Sequence, residues 1–134
     1  MAESLTCTVV TPEQTALETK ADFVALPLFD GEIGILANHS PLIGRLGYGE
    51  MRIKSGGQTT VYYVDGGFVQ VADNVVAVLT NRAIPAKNVD AAAAEAQLQA
   101  ALQKTANSPE TFEIRDRQIA QARAQIRTAR RGRL

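Results

Sequence analysis

The chain has 134 residues, with 14 lysines and arginines against 14 aspartates and glutamates, and it is 46% hydrophobic and 21% charged. This composition is close to the globular average and excludes a disordered chain. The single cysteine, Cys7, excludes an internal disulfide and a cysteine-based zinc site. No window approaches the roughly 20 apolar residues of a membrane span. We therefore expect a small globular protein of a reducing compartment, which meets a membrane only through partners.

Short β-branched segments fill the chain up to about Pro85. The segment LTCTVV alternates and predicts a strand with one buried face, whereas NVVAVL is apolar on both faces and predicts a central strand that is covered on both sides. Turn signals are predicted at Asp30-Gly31, at Gly47 to Gly49 and at Asp65 to Gly67. Together they predict an all-β sandwich or barrel. The candidate strands are LTCTVV, FVALPLF, EIGILA, GEMRIKS, TTVYYVDG, GFVQVAD and NVVAVLTN.

Strong helix formers replace this pattern after Pro85. VDAAAAEAQLQAALQKTA predicts a helix that Asn88 or Asp90 caps and that ends at Asn107. ETFEIRDRQIAQARAQIRTARR predicts a second helix, which starts at Ser108 or Pro109 and ends at Gly132. The sequence thus predicts two domains, a β domain over residues 1–86 and an antiparallel helical hairpin over residues 87–134. Because alanine methyl groups dominate the first helix, the hairpin is expected to be weakly held and able to detach.

Charge divides along the same boundary. Residues 1–86 carry five basic and nine acidic side chains, a net charge of −4, and residues 87–134 carry nine basic and five acidic ones, a net charge of +4. Four arginines of the second helix fall within an arc of about 100° on a helical projection. They form either a solvated face or a surface for an acidic partner. These arginines are Arg123, Arg127, Arg130 and Arg131.

A nucleic-acid-binding module and a small hydrolase are the two alternatives to a partner-binding role. A β domain with an arginine-rich helix is a candidate nucleic-acid-binding module, but the β half is acidic and has few aromatic residues for base stacking. A small hydrolase needs a nucleophile beside a base, and His39 is the only histidine. No nucleophile motif, metal-ligand cluster or phosphate-binding loop accompanies it.

One combination of motifs resembles a known family. In GEIGILANHSPLIGRLGYGEMRI, the residues Gly34, Leu36, His39, Pro41 and Leu42 form a Gly-x-Leu-x-x-His-x-Pro-Leu pattern. YYVDGGFVQVADNVVAVLTNRA follows, with Gly66 and Gly67, and then the alanine-rich hairpin. In this order and at this length, the chain resembles the epsilon subunits of the bacterial and chloroplast F-type ATP synthases.

The resemblance implies a mainly β fold with added α structure, in which an N-terminal ten-stranded β-sandwich precedes a C-terminal two-helix antiparallel hairpin. It implies a non-catalytic rotor subunit of the central stalk, without cofactor or metal, which binds the gamma subunit and the c-ring. The hairpin would transiently contact the catalytic β and α subunits and inhibit ATP hydrolysis. The implied location is the cytoplasmic face of a bacterial plasma membrane or, alternatively, the stromal side of a chloroplast thylakoid. No nucleic-acid partner is expected.

The resemblance also assigns residues to partners. His39, Pro41 and Leu42 would contact gamma, and Gly31 and Glu32 would contact the c-ring. Arg123, Arg127, Arg130 and Arg131 would contact acidic surfaces of the catalytic head.

Some members of the family bind ATP through an Ile/Leu-Asp-x-x-Arg-Ala motif. Here VDAAAA keeps Val89 and Asp90 but has Ala93 in place of the arginine. Asp90 is therefore a doubtful nucleotide contact, and ATP is not expected as a ligand.

Overall fold

A computed structural model describes residues 4–131, in which eight strands precede two helices. The strands are β1 Leu5–Val10, β2 Thr15–Ala21, β3 Phe23–Leu28, β4 Gly31–Leu36, β5 Leu42–Ser55, β6 Gln58–Ala72, β7 Val75–Leu79 and β8 Ala83–Pro85. A 3-10 turn at Ala86–Asn88 leads to the helices α1 Ala91–Gln103 and α2 Pro109–Arg131. The predicted class of β structure followed by two helices is confirmed. The domain limits 1–86 and 87–134 stay a prediction.

The strands form one hydrogen-bonded path in the order β2-β1-β7-β6-β5-β3-β4, and β8 pairs with β6. β1 and β7 run parallel, and the other described pairs run antiparallel. Core residues come from both ends of this path. Leu5 of β1 and Val24 of β3 belong to one buried cluster, together with Val64 of β6. The path therefore folds over on itself and encloses a core, as a sandwich does.

Among the described residues, the strands number eight and not the ten that the family resemblance implied, because β5 and β6 are long. They cover 14 and 15 residues and pair along nearly their whole length. The turns predicted at Gly47 to Gly49 and at Asp65 to Gly67 are wrong, since both segments lie inside these strands. The ladder pairs Leu46 with Gly67 and then Tyr48 with Asp65, so both strands continue here, and the positive φ values of Gly66 and Gly67 mark a local bend in β6.

Gly67 shows why the bend needs glycine. Its φ of 105° lies in a region that side chains disfavour, and a Cβ atom there would collide with the carbonyl oxygen of Leu79 on β7. The backbones of β6 and β7 therefore approach each other closely. The double glycine that suggested a turn in the sequence is instead a bend within a continuous strand.

Alternation in β1 behaves as predicted, because Leu5, Cys7 and Val9 are fully buried. Burial raises the pKa of the Cys7 thiol from 9.0 to about 11. β7 lies between β1 and β6 as expected of a central strand. The expectation that both of its faces are covered is wrong, since Val75 is 41% exposed and Leu79 is 51% exposed.

The hairpin is folded against the sandwich, where α2 packs on β5, on β6 and on the 3-10 turn. Pro109 opens α2, as predicted, after Ser108, whose Oγ accepts a hydrogen bond from the Thr111 N–H at 3.3 Å. The predicted cap at Asn107 is wrong, because α1 ends earlier, with Lys104 as its C-cap. Gly132, the predicted end of α2, lies outside the described residues.

Candidate functional surfaces

The predicted gamma contact lies in the loop between β4 and β5 and at Leu42, the first residue of β5. The Asn38 N–H donates to Oδ1 of Asn74 at 2.6 Å, which ties this loop to the β6–β7 turn. His39 is half-buried and lies 2.7 Å through its Nδ1 from the Ser40 carbonyl oxygen, so the ring nitrogen donates that hydrogen bond. Pro41 is exposed, whereas Leu42 packs against the sandwich core. Of the three predicted contact residues, Leu42 therefore points inward.

Ile43, the next residue, begins an exposed apolar face on β5, β6 and β7. Ile43 is 76% exposed, and Phe68 is 59% exposed. Phe68 pairs with both Arg45 and Leu79 in the sheet, and side chains two residues apart on a strand share a face. Ile43, Phe68 and Leu79 therefore point to the same side. We call Ile43, Phe68, Val75 and Leu79 the outer apolar face. Exposed apolar side chains that share one face of a sheet are a candidate contact surface for another protein.

Gly31 and Glu32, the predicted c-ring contacts, begin β4 next to the exposed Phe29 and Asp30. The Glu32 side chain is 53% exposed, and its Oε1 lies 2.6 Å from Nη2 of Arg52. Nη1 of Arg52 lies 3.0 Å from Oε1 of Glu50. Glu32 is therefore one end of a set of ion pairs on the sandwich.

The four predicted arginines do not behave alike. Nε of Arg131 lies 3.6 Å from Oε1 of Glu50. Arg127 and Arg131 line a cleft of about 300 Å³ together with Glu32 and Glu50. Arg123 and Arg130 are exposed, and within residues 4–131 they have no carboxylate within 4.0 Å. In the docked hairpin, two of the four arginines thus face acidic residues of the chain itself.

Asp65 of β6 is a second link between sandwich and hairpin, and it is only 5% exposed. Its Oδ1 accepts hydrogen bonds from the Tyr63 hydroxyl at 2.6 Å and from Nε2 of Gln121 at 3.0 Å. Nε of Arg82 lies 3.4 Å from Oδ2. These donors satisfy a buried carboxylate that would otherwise be costly. Burial, and then the hydrogen bond to Asp65, raises the pKa of the Tyr63 phenol.

The side chains that α2 buries, against α1 as well as against the sandwich, are small or polar. They are Ala122, Ala124, Gln125, Thr128 and Ala129. Nε2 of Gln125 is buried without a hydrogen-bond partner among the described residues. Large apolar side chains are absent from this buried set, so polar contacts such as those of Gln121 and Arg131 contribute to holding the helix on the sandwich. The importance of Asp65 and Glu50 was missed from the sequence, where an acid inside the apolar run YYVDGG was the available signal.

Asp90, the doubtful nucleotide contact, caps α1. Its Oδ1 accepts the N–H of Ala93 at 3.0 Å, and it thereby satisfies a free donor of the first helical turn. Within residues 4–131 no group of three or more His, Cys, Asp or Glu side chains could hold a metal ion. Neither described helix is long and apolar enough to cross a membrane.

Comparison with known proteins gives a consistent result. Residues 4–86 match the family described as ATP synthase, Delta/Epsilon chain, beta-sandwich domain. The ATP synthase epsilon chain of Rhodopirellula baltica is 49% identical over 127 residues, which cover 95% of this chain and 99% of that protein. The ATP synthase epsilon chain of Desulfitobacterium hafniense is 39% identical over 127 residues, covering 95% and 96% of the two chains.

Two solved structures share the fold. One is a chain of the Euglena gracilis mitochondrial ATP synthase, in a cryo-EM structure of OSCP, F1 and c-ring, with a TM-score of 0.83, 21% identity and coverage of 92% of this chain and 80% of that chain. The other comes from the central stalk and c-ring of the Tetrahymena thermophila enzyme, with a TM-score of 0.74, 14% identity and coverage of 95% and 97%. At these identities the likeness concerns the fold alone.

Fold and family match together define a β-sandwich subunit of an ATP synthase. The chain belongs to the ATP synthase delta/epsilon chain family and, by its relatives, to the epsilon chains, which are not the catalytic subunits of that enzyme. This membership replaces the alternative interpretation as a nucleic-acid-binding module.

Proposed function

We propose that the chain links the gamma subunit to the c-ring in the central stalk of a proton-translocating F-type ATP synthase, and that its hairpin inhibits ATP hydrolysis. It would be held through these partners at the cytoplasmic face of a bacterial plasma membrane. The observation that carries the proposal is that the side chains buried by α2 are small or polar and that a hydrogen bond and an ion pair link the helix to the sandwich, because such a helix can leave without exposing a large apolar surface.

The outer apolar face supports the link to gamma. It continues from His39 and Pro41, and Ile43 takes the place of the inward-pointing Leu42 as an apolar contact. Covering these side chains would remove apolar area from water, which is the main driving force of association. A charge buried at the centre of such an interface is strongly unfavourable.

The gamma contact is tested with Phe68→Asp in the full chain. Its dissociation constant for purified gamma should rise at least about tenfold, as expected for a buried aromatic contact. Ile114→Asp is the matched control, since Ile114 is an exposed apolar residue of α2, 44% exposed and away from the outer apolar face. Equal binding by Phe68→Asp and the unaltered chain would contradict the assignment of this face.

Glu32 and Gly31 are proposed to meet the c-ring, because they follow an exposed turn and Glu32 retains an accessible carboxylate. ATP is not proposed as a ligand. The Asp90 carboxylate already accepts a helix N–H, and Ala93 supplies no cation for a phosphate group.

The arginines are proposed to bind acidic surfaces of the catalytic β and α subunits once the hairpin leaves the sandwich. Arg131 would exchange its ion pair with Glu50 for one with a partner carboxylate. An exposed pair contributes only about 0–1 kcal/mol, so inhibition should need several arginines together.

The inhibitory contact is tested by ATP hydrolysis of the reconstituted complex. Replacement of Arg123, Arg127, Arg130 and Arg131 by alanine should raise the rate several-fold, whereas Arg123→Ala alone should have only a small effect on it. If the fourfold variant assembles and hydrolyses ATP no faster than the unaltered complex, the arginines are a solvated face.

A further inference from the structure

A continuous chain of charged groups connects β4 with the last turns of α2. Oε1 of Glu32 contacts Nη2 of Arg52 at 2.6 Å, and Nη1 of Arg52 contacts Oε1 of Glu50 at 3.0 Å. The same Oε1 atom of Glu50 lies 3.6 Å from Nε of Arg131. Arg52 and Arg131 therefore share one carboxylate oxygen. We call Glu32, Arg52, Glu50 and Arg131 the ion-pair chain.

Exposure differs along the ion-pair chain. The side chains of Arg52 and Glu50 are 22% and 17% exposed, whereas those of Glu32 and Arg131 are 53% and 57% exposed. Charges that are shielded from water and salt interact more strongly than exposed ones. A change in the charge of the exposed Glu32 therefore alters the strength of the shielded ion pair between Arg52 and Glu50. Consistent with this, the hydrogen bond to Glu32 is the largest cause that raises the pKa of Arg52.

The charge balance gives the direction of the effect. Arg127 lines the same cleft as Glu32, Glu50 and Arg131, so three guanidinium groups meet two carboxylates when the hairpin is docked. If the charge of Glu32 is neutralised, Glu50 alone faces three cations. Arg52 then competes more strongly for the shared oxygen, and the repulsion acts on the arginines of α2.

We propose that the ion-pair chain couples the Glu32 surface to the position of the hairpin, so that a cationic partner group bound at Glu32 loosens α2 from the sandwich. This inference rests on the proposed function only in assigning the c-ring as the partner at Glu32. Docking of the ring and release of the hairpin would then favour each other, because thermodynamic coupling between two sites is reciprocal.

Hydrogen exchange of the α2 backbone amides in the isolated full-length chain tests the coupling. Glu32→Gln should speed this exchange about two- to fivefold, the range that a partly exposed ion pair produces. Arg52→Gln should slow it, because the carboxylates of Glu32 and Glu50 then face only the arginines of α2, Arg127 and Arg131. Opposite signs from two neighbouring substitutions are not expected of general destabilisation, and unchanged exchange in β1 and β7 would show that the sandwich is intact.

A double-variant comparison locates the path. In an Arg131→Gln background, Glu32→Gln should lose more than half of its effect on α2, since the last member of the ion-pair chain is missing. Arg130→Gln is the matched background, because Arg130 is on the same helix and has no carboxylate within 4.0 Å among the described residues. There the full effect of Glu32→Gln should persist.

The proposal is overturned if Glu32→Gln leaves α2 exchange unchanged, or if its effect is the same in both backgrounds. This outcome is distinct from failure of the proposed function. The coupling is measured without gamma, c-ring or ATP, so an intact coupling together with an uninhibited complex would refute inhibition by the hairpin and leave the ion-pair chain standing.

Discussion

Gln121→Ala removes the hydrogen bond that α2 donates to the buried carboxylate of Asp65. The bond from Nε2 of Gln121 to Oδ1 is 3.0 Å long. Asp65 would keep the Tyr63 hydroxyl and the Arg82 guanidinium as partners. The buried carboxylate would therefore not be left without hydrogen-bond donors, and the sandwich should stay folded. A hydrogen bond to a charged group contributes about 1.5–3 kcal/mol, and a part-buried site lies near the lower limit. We expect docking of α2 to weaken by about 1–2 kcal/mol.

Hydrogen exchange of the α2 amides is the assay, and 1–2 kcal/mol corresponds to exchange roughly 5- to 30-fold faster. Gln118→Ala is the matched control, because Gln118 lies one turn earlier and its Oε1 accepts from Lys104 of the hairpin itself at 2.9 Å. That variant should not affect contact with the sandwich. Equal exchange in the two variants would refute the role of Asp65 in holding the hairpin.

Two further predictions concern the sandwich. Because the folded state raises the pKa of Cys7 from 9.0 to about 11, the unfolded chain loses its proton first, and stability that is complete below pH 9 should fall by about 2 kcal/mol by pH 11. The free energy of unfolding in urea, measured at a series of pH values, should show this decline. Cys7→Ala should flatten the decline between pH 9 and 10, a range that lies below the ordinary pKa of Tyr63, whose own ionisation adds to the pH dependence above it. Gly67→Ala should lower the free energy of unfolding by at least about 3 kcal/mol, since the positive φ and the collision of the new Cβ with the Leu79 carbonyl both destabilise the folded state. Gly56→Ala, at φ 58° with open space around it, should cost only about 1 kcal/mol in the same measurement.

Local pattern located both helices and most strands, although it placed the end of α1 too late. Ser108 and Pro109 marked the start of α2 correctly, because capping and the fixed φ of proline act within a few residues. The strand β2 was missed, since TALETKA carries few apolar residues and lies at the edge of the sheet, where polar side chains are tolerated. The bend at Gly67 was missed because it depends on the backbone of β7, which is distant in sequence.

Much of the candidate site could not be predicted, for two physical reasons. The contact between Asp65 and Gln121 joins residues 56 positions apart, which no local pattern reveals. The second reason is that an apolar residue in a strand looks the same whether the fold buries it or a partner does. The exposed Leu79 was therefore assigned to a covered face. The family resemblance was sufficient to predict His39 and Glu32 as contact residues. The ion pairs that connect Glu32 with the hairpin are visible only in the three-dimensional structure.

ATP hydrolysis by the complex reconstituted with the full chain, or with a chain truncated after Lys87, tests the central claim most directly. The truncation removes both helices and leaves the eight described strands. If the sandwich mounts on the rotor and the hairpin inhibits, the truncated chain should still assemble with gamma and c-ring, and hydrolysis should rise several-fold. Equal rates for two fully assembled complexes would contradict the claim, and the subunit would then act in assembly and coupling alone.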